Sequence, residues 1–221
     1  MIKKYLSIMS GCYAPPNREV TLFKHLSLIN QLPEGFLKIL VTHTPVHQNC
    51  FKYVDMVLYD NNNVVDERAF SFGAAESMLI RQGLILSKYY GIEWMFKLGF
   101  DCLPNNIKEV YEWLKHIEKY KMITTEHGGK GVGSLSFLVN VDWGLENLPE
   151  FRTVDEMFQG QDGKHLEVAY GEHIIKLGKW SDIYFYKNIN EMFKQSGNPI
   201  DYRDDCQGVK QDENLLKSFK S

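Results

Sequence analysis

The sequence lacks a cysteine pair of the kind that binds zinc or builds a disulfide framework. Its four cysteines are far apart in a chain of 221 residues, and no two of them form a Cys-x-x-Cys pair. They are Cys12, Cys50, Cys102 and Cys206. Small disulfide scaffolds and zinc sites group their cysteines closely, so this spacing favours reduced thiols and a cytoplasmic protein.

An excess of positive charge and a long apolar run are also missing. The formal net charge is -3, which gives no general attraction to nucleic acid or anionic lipid. The apolar core that follows Lys3 and Lys4 is too short for a secretion signal, which needs roughly 7–15 apolar residues. No other run approaches the roughly 20 apolar residues of a membrane span. We therefore expect a cytoplasmic protein without a membrane span.

No phosphate-binding glycine motif follows the first predicted strand. The glycine-rich segment Gly128–Gly133 fits neither G-x-x-x-x-G-K-[ST] nor G-x-G-x-x-G. A P-loop kinase and a dinucleotide dehydrogenase are therefore disfavoured. Because glycine hinges tolerate large backbone changes, this segment is either a lid over a ligand or a flexible connection.

Strand-like and helix-like segments alternate through the first half of the chain. Short apolar segments bounded by polar residues predict strands, and apolar residues at helical spacing predict helices. The predicted strands are residues 4–10, 36–41, 53–59 and 94–100, and the predicted helices are residues 17–31, 74–90 and 106–117. This alternation is typical of a parallel, doubly wound sheet.

The second half of the chain is less regular. Strands are predicted near residues 121–125, 135–139 and 183–186, and a helix at residues 166–177, with mostly loop between 142 and 163. Trp143 in that loop is a candidate for stacking on a sugar. We predict one domain, with a nucleotide-sugar-binding half at about residues 1–106, an acceptor half at about 107–196 and a polar tail at about 197–221.

Polar side chains lie at or just after the end of each predicted strand of the first half. They are Ser10, His43, Asp60 with Asn62, and Asp101. In an open α/β sheet, ligands bind outside the carboxyl ends of the strands. Carboxylates and amides suit recognition of a base and a ribose, and Arg81 on the long helix can offset the charge of a diphosphate. Any one of these residues taken alone can equally be an ordinary polar residue at a strand end.

Three segments resemble small GT-A glycosyltransferases of the bacterial and phage kind. They are Tyr53–Asn63, the helix Ala74–Tyr90, and Phe96-Lys97-Leu98-Gly99-Phe100-Asp101, with a weaker similarity at His165-Leu166-Glu167. The resemblance covers roughly residues 4–106 in order. It implies a single α/β domain with a GT-A-like, Rossmann-like, mostly parallel mixed sheet flanked by helices. It also implies transfer of a sugar from a nucleotide diphosphate donor, a UDP-sugar, to an acceptor hydroxyl.

The resemblance also implies roles for individual residues. Asp101 matches the first carboxylate of the family's D-x-D motif, which holds Mn²⁺ or Mg²⁺ against the donor diphosphate, although Leu103 stands where the second carboxylate would be. Asp60 corresponds to the place where the family grips the nucleoside. Glu167, near the start of a late helix, corresponds to the base that deprotonates the acceptor. Its competitors are Asp162, Asp142 and Glu172.

Three alternatives remain open from the sequence. The acceptor could be a modified DNA base, as for some phage glycosyltransferases, although such binding normally needs clustered Lys and Arg. The protein could instead be a non-catalytic module that binds a nucleotide or a glycan. A sugar nucleotidyltransferase is less favoured, because a basic glycine-rich loop is expected after its first strand.

Overall fold

The computed structural model describes residues 6–12, 19–30, 36–43, 45–59, 72–99, 113–127, 129–134, 136–152, 156 and 165–186. Within these ranges the strands are β1 (Leu6–Cys12), β2 (Leu37–Thr42), β3 (Met56–Tyr59), β4 (Trp94–Gly99), β5 (Met122–His127), β6 (Gly131–Val132), β7 (Ser136–Asn140) and β8 (Ile183–Tyr186). The helices are α1 (Glu19–Ile29), α2 (Phe72–Tyr89), α3 (Val141–Asn147) and α4 (Leu166–Lys176). Short 3₁₀ helices occupy Gln48–Tyr53, Leu114–His116 and Trp180–Asp182.

The strands form one mixed sheet with the order β3-β2-β1-β4-β7-β5-β6, and β8 pairs with β5. The pairs β3–β2, β2–β1 and β1–β4 are parallel, and β7 is antiparallel to both β4 and β5. Gly11 lies opposite Gly99, so β1 and β4 end together. Because β7 runs the other way, its first residue, Ser136, lies beside the end of β4, opposite Leu98. The predicted single mixed α/β domain is confirmed.

Apolar side chains on both faces of the central strands build the core. Met95 on β4 packs in a cluster with residues of α2, α3 and α4, whereas Phe96 and Leu98 pack on the opposite face with Trp113. All six residues of β4 are buried. Burial of a large apolar side chain stabilises a fold by roughly 1.5–3 kcal/mol, so β4 is held firmly in the centre of the sheet.

Two local predictions are wrong. The strand predicted at residues 53–59 begins only at Met56, because the residues before it form the 3₁₀ helix that ends at Tyr53. The loop predicted from residue 142 begins instead as helix α3, where the Asn140 side chain accepts a hydrogen bond from the Trp143 amide. Trp143 is 7% exposed and its indole nitrogen donates to Asp182, so it belongs to the core rather than to a loop that could stack on a sugar.

Candidate functional site

The eight residues predicted for the site divide evenly between the described and the undescribed parts of the chain. Asp60, Asn62, Asp101 and Asp162 lie outside the described residues. The strands that lead to two of them are described, however. β3 ends at Tyr59, immediately before Asp60, and β4 ends at Gly99, two residues before Asp101.

Ser10 and His43 both lie at the carboxyl edge of the sheet. The backbone of Ser10 pairs with Leu40 on one side and Leu98 on the other, one residue before β1 reaches the end of β4. His43 directly follows β2 and is buried, and its Nε2 atom lies 2.9 Å from the carbonyl oxygen of Ala75. This hydrogen bond joins the end of β2 to the first turns of α2. A role of either residue in donor binding stays a prediction.

Arg81 joins two helices on the face of the sheet that α2 covers. Its Nη1 atom donates to the backbone carbonyl of Leu145 in α3 at 2.5 Å. The guanidinium also lies close enough to Tyr170 in α4 to act on the pKa of the phenol. Its predicted contact with a donor diphosphate is untested, whereas its contact with the α3 backbone is part of the packing of the described residues.

Glu167 belongs to a partly buried polar cluster that sequence reasoning did not identify. We call Glu76, Lys97, Ser134 and Glu167 the carboxylate cluster. The Lys97 ammonium contacts Glu76 Oε1 and donates to the Ser134 carbonyl oxygen at 2.6 Å. The Ser134 hydroxyl oxygen lies 3.1 Å from Glu76 Oε2 and 2.7 Å from Glu167 Oε1. One signal was present in the sequence, because a lysine inside an otherwise apolar strand requires a buried partner.

The topology places this cluster just below the carboxyl edge of the sheet. Lys97 lies two residues before the end of β4, and Ser134 lies two residues before the start of β7. Glu76 is in the second turn of α2, and Glu167 is in the first turn of α4. A carboxylate in the first turn of a helix is stabilised by the partial positive charge of the helix start. The cluster therefore brings two carboxylates to the edge where the parallel strands end.

Lys97 is the most deeply buried charged group of the cluster. Its side chain is 1% exposed, and the side chain of Glu76 is 25% exposed. An ammonium without a partner would be very costly at such burial, so the contacts with Glu76 and with the Ser134 carbonyl stabilise Lys97 in the fold. Glu76 is the one member of this ion pair that water can reach.

Tyr170 packs beside the same carboxylates. It is fully buried, and among the described residues its hydroxyl has no hydrogen-bond partner. Burial raises the pKa of Tyr170 well above 10.0, and the nearby charges of Glu76 and Glu167 raise it further, while Arg81 acts in the opposite direction. The phenol is therefore neutral at physiological pH and adds no charge to the cluster.

Close backbone packing sets the position of α4, and with it that of Glu167. A Cβ atom on Gly171 would lie 1.8 Å from the carbonyl oxygen of Lys130, so only glycine allows this approach. On the same hairpin, the Gly133 amide donates to the Thr125 carbonyl at 2.8 Å, and β6 pairs with β5. The described part of the glycine-rich segment is thus a sheet hairpin that supports α4.

The described residues contain no group of three or more His, Cys, Asp or Glu side chains that could hold a metal ion. The proposed ligand Asp101 lies outside them. Within the same residues, no helix is long and apolar enough to cross a membrane.

Comparison with solved structures gives full-length similarity at low sequence identity. A protein described as a nucleotide-diphospho-sugar transferase from Desulfovibrio desulfuricans G20 matches with a TM-score of 0.50 and 10% identity, over 98% of this chain and 95% of that one. The 4-diphosphocytidyl-2C-methyl-D-erythritol synthase from Anaerococcus prevotii DSM 20548 matches with a TM-score of 0.55 and 8% identity, over 97% of this chain and 94% of that one. No family model matches the sequence, and no curated protein does.

A glycosyltransferase is found among these structures too. GlyE from Streptococcus pneumoniae TIGR4 matches with a TM-score of 0.51 and 11% identity, over 99% of this chain and 51% of that one. The present chain therefore corresponds to about half of that protein. Taken with the strand order and the antiparallel β7, these similarities show that the chain has a GT-A-like fold.

Proposed function

We propose that the protein is a glycosyltransferase that moves a sugar from a nucleotide diphosphate donor, specifically a UDP-sugar, to the hydroxyl group of an acceptor, which is a glycan or another hydroxyl compound. The fold alone does not assign an activity, because one fold serves many reactions. The observation that carries the proposal is the position of Glu167. It lies in the first turn of α4, bonded to Ser134, beside the edge where β1, β2 and β4 end.

In this proposal the donor occupies the carboxyl ends of the parallel strands. Asp60 and Asn62 bind the nucleoside after β3, and Asp101 lies by the diphosphate after β4. Ser10, His43 and Arg81 are the further donor contacts that we propose. A bound Mn²⁺ or Mg²⁺ would neutralise diphosphate charge, and these cations prefer oxygen ligands such as the Asp101 carboxylate. Because the described residues offer no metal shell, we assign no step of the reaction to a metal.

Glu167 would act on the acceptor. Its carboxylate takes the proton of the acceptor hydroxyl while the oxygen forms a bond to the anomeric carbon of the sugar. The bond from that carbon to the diphosphate breaks, and its electron pair leaves with the nucleoside diphosphate. Positioning of the two substrates and general-base catalysis lower the barrier together.

A nucleotidyltransferase is the main alternative, because a cytidylyltransferase is also among the structures with this fold. The segment after β1 argues against it. Residues 13–18 read Tyr-Ala-Pro-Pro-Asn-Arg and contain no glycine, whereas a basic glycine-rich loop is expected there in a nucleotidyltransferase. The two activities also give different products, since a nucleotidyltransferase releases pyrophosphate from a nucleoside triphosphate.

The test measures product release with a panel of glycan acceptors. We expect nucleoside diphosphate to appear from a UDP-sugar, and no pyrophosphate from UTP or CTP with sugar phosphates. Glu167→Gln should lower kcat by roughly 10²–10⁴-fold, the usual contribution of a general base. Glu172→Gln, on the exposed side of the same helix, is the matched control and should retain activity. Pyrophosphate release, or full activity of Glu167→Gln, would refute the proposal.

A further inference from the structure

The Ser134 hydroxyl contacts two carboxylates at once. Its oxygen lies 2.7 Å from Glu167 Oε1 and 3.1 Å from Glu76 Oε2, and Ser134 is fully buried. The two glutamates are 91 positions apart in the sequence and are brought together by α2 and α4. No other described residue makes a hydrogen bond to Glu167. Ser134 is therefore the one described group that fixes its carboxylate.

Ser134 has one hydroxyl proton for its contacts with two carboxylates. A hydroxyl group has one proton to donate and lone pairs to accept with, and an ionised carboxylate only accepts. When Glu76 and Glu167 are both ionised, Ser134 can donate fully to one of them and leaves the other contact without a proton. When one carboxyl group holds a proton, both contacts become hydrogen bonds, because that group donates to Ser134 and Ser134 donates to the other.

Lys97 decides which glutamate carries the added proton. Its buried ammonium contacts Glu76 Oε1 and has the Ser134 carbonyl as a second acceptor at 2.6 Å. A buried ammonium stabilises the ionised form of the carboxylate beside it. Lys97 contacts Glu76, whereas Glu167 contacts the Ser134 hydroxyl, so Glu167 is the carboxylate placed to take an added proton. The complete chain then runs from the Glu167 carboxyl to the Ser134 hydroxyl, to the Glu76 carboxylate and to the Lys97 ammonium.

We propose that Ser134, Glu76 and Lys97 are positioning residues that prepare Glu167 to receive the acceptor proton. Before transfer, Ser134 donates to Glu167 and holds its carboxylate in place. After transfer, the proton lies on Glu167, which donates to Ser134, and the Ser134 proton turns to Glu76. No proton leaves the cluster in this step. This inference rests on the proposed function, because it assumes that Glu167 is the base.

The charged and titratable groups of the cluster and its surroundings are consistent with a proton transfer that stays inside the cluster. Glu76 on α2 and Lys97 on β4 belong to the cluster, Tyr170 lies beside its carboxylates, and Arg81 and Glu150 act on the pKa of Tyr170. Tyr170 stays neutral because burial and the two cluster carboxylates raise its pKa. Within the described residues, Ser134 is the one group that is bonded to both carboxylates.

The test compares rate–pH profiles of kcat/KM for the full chain and its variants. In Glu76→Gln the amide donates to Ser134 and locks its hydroxyl proton onto Glu167, which stabilises the ionised base. We expect the acid limb of the profile to move to lower pH by about one unit, the order of a single hydrogen bond to a charged group. In a Ser134→Ala background, Glu76→Gln should move the acid limb of the profile by less than half as much.

Ser136→Ala is the matched control, because the Ser136 hydroxyl is buried without a hydrogen-bond partner among the described residues. It should leave both kcat and the profile unchanged. Ser134→Ala should lower kcat roughly tenfold while the melting shift induced by the donor stays the same. If Glu76→Gln fails to fold, this comparison of Ser134→Ala with Ser136→Ala decides the question.

Two failures are distinguishable. Full activity of Glu167→Gln would overturn the assignment of the base, and with it the proposed function. A strong loss in Glu167→Gln, together with equal pH shifts by Glu76→Gln in both backgrounds, would leave the base in place and overturn the coupling through Ser134. Equal kcat values for Ser134→Ala and Ser136→Ala would overturn it as well.

Discussion

Replacing Lys97 with methionine measures how much the buried ion pair contributes to the fold. The Lys97 side chain is 1% exposed and its partner Glu76 is 25% exposed. Removing one partner of a buried pair costs roughly 3–5 kcal/mol, because the other charge is left uncompensated. Since water reaches part of Glu76, we expect the lower end, about 3 kcal/mol. For a domain of this size that corresponds to a fall in Tm of about 6–12 °C.

Thermal unfolding followed by circular dichroism gives the measurement, and Lys88→Met is the matched control. Lys88 and Asp142 form an ion pair at 2.5 Å with side chains 57% and 62% exposed. An exposed pair contributes about 0–1 kcal/mol, so the control should lose at most a few degrees. The double variant Lys97→Met/Glu76→Gln should regain part of the loss, because it removes the carboxylate charge that Lys97 balanced. Equal losses for the two lysine variants, or a double variant less stable than Lys97→Met, would refute the reasoning.

Three further predictions concern the packing around the cluster. Gly171→Ala should lower the Tm by several degrees, because its Cβ would meet the Lys130 carbonyl at 1.8 Å, and overpacking costs roughly 1–3 kcal/mol; an unchanged melting curve would contradict this packing. Ser77→Ala should cost about 1–3 kcal/mol, because its buried hydroxyl accepts from the Phe151 amide at 2.9 Å, and a denaturant titration checks it. Tyr170→Phe should be nearly neutral at pH 7. Because the pKa of Tyr170 is raised in the folded state, its unfolded form ionises first, so wild-type stability should fall above about pH 10 more steeply than that of Tyr170→Phe. Parallel Tm–pH curves for the two proteins would refute the last prediction.

The parallel half of the sheet was predictable because its signals are local. Each of β1, β2 and β4 is a short apolar segment that stops at polar or glycine residues, and α2 carries apolar residues at helical spacing over five turns. These patterns are set by burial on both faces of a central sheet and on one face of a helix. The strand predicted near residues 135–139 is β7. Its residues Ser136–Val139 are all buried, because β7 lies between β4 and β5 rather than at an edge.

The carboxylate cluster was not predictable in the same way. Glu76, Lys97, Ser134 and Glu167 come from four different segments, and each residue alone is ordinary in its local pattern. Only the antiparallel insertion of β7 beside β4 brings Ser134 next to Lys97, and only the docking of α4 on the β6 hairpin adds Glu167. Helix α3 was missed for a different reason. It spans only seven residues, and its cap, Asn140, is itself the last residue of β7.

The domain halves at about residues 1–106 and 107–196 stay predictions. Contacts across that boundary are extensive, however. Lys97 in the first half bonds to Ser134 in the second, and Arg81 bonds to Leu145. The two predicted halves therefore share one continuous core.

The most direct test of the central claim is a thermal-shift screen for the donor. Wild type and Asp101→Ala are heated with UDP-, GDP-, CMP- and ADP-linked sugars, with and without Mn²⁺, and Asp142→Ala, at the opposite edge of the sheet, serves as the control. A ligand that binds only the folded protein raises the free energy of unfolding by mass action, by about 2.7 kcal/mol at a hundredfold excess over Kd. The Tm rises with it. We predict a rise with UDP-sugars that Mn²⁺ increases, that Asp142→Ala retains and that Asp101→Ala loses. The absence of a shift with every donor, or an equal shift in Asp101→Ala, would contradict a donor site at this edge of the sheet.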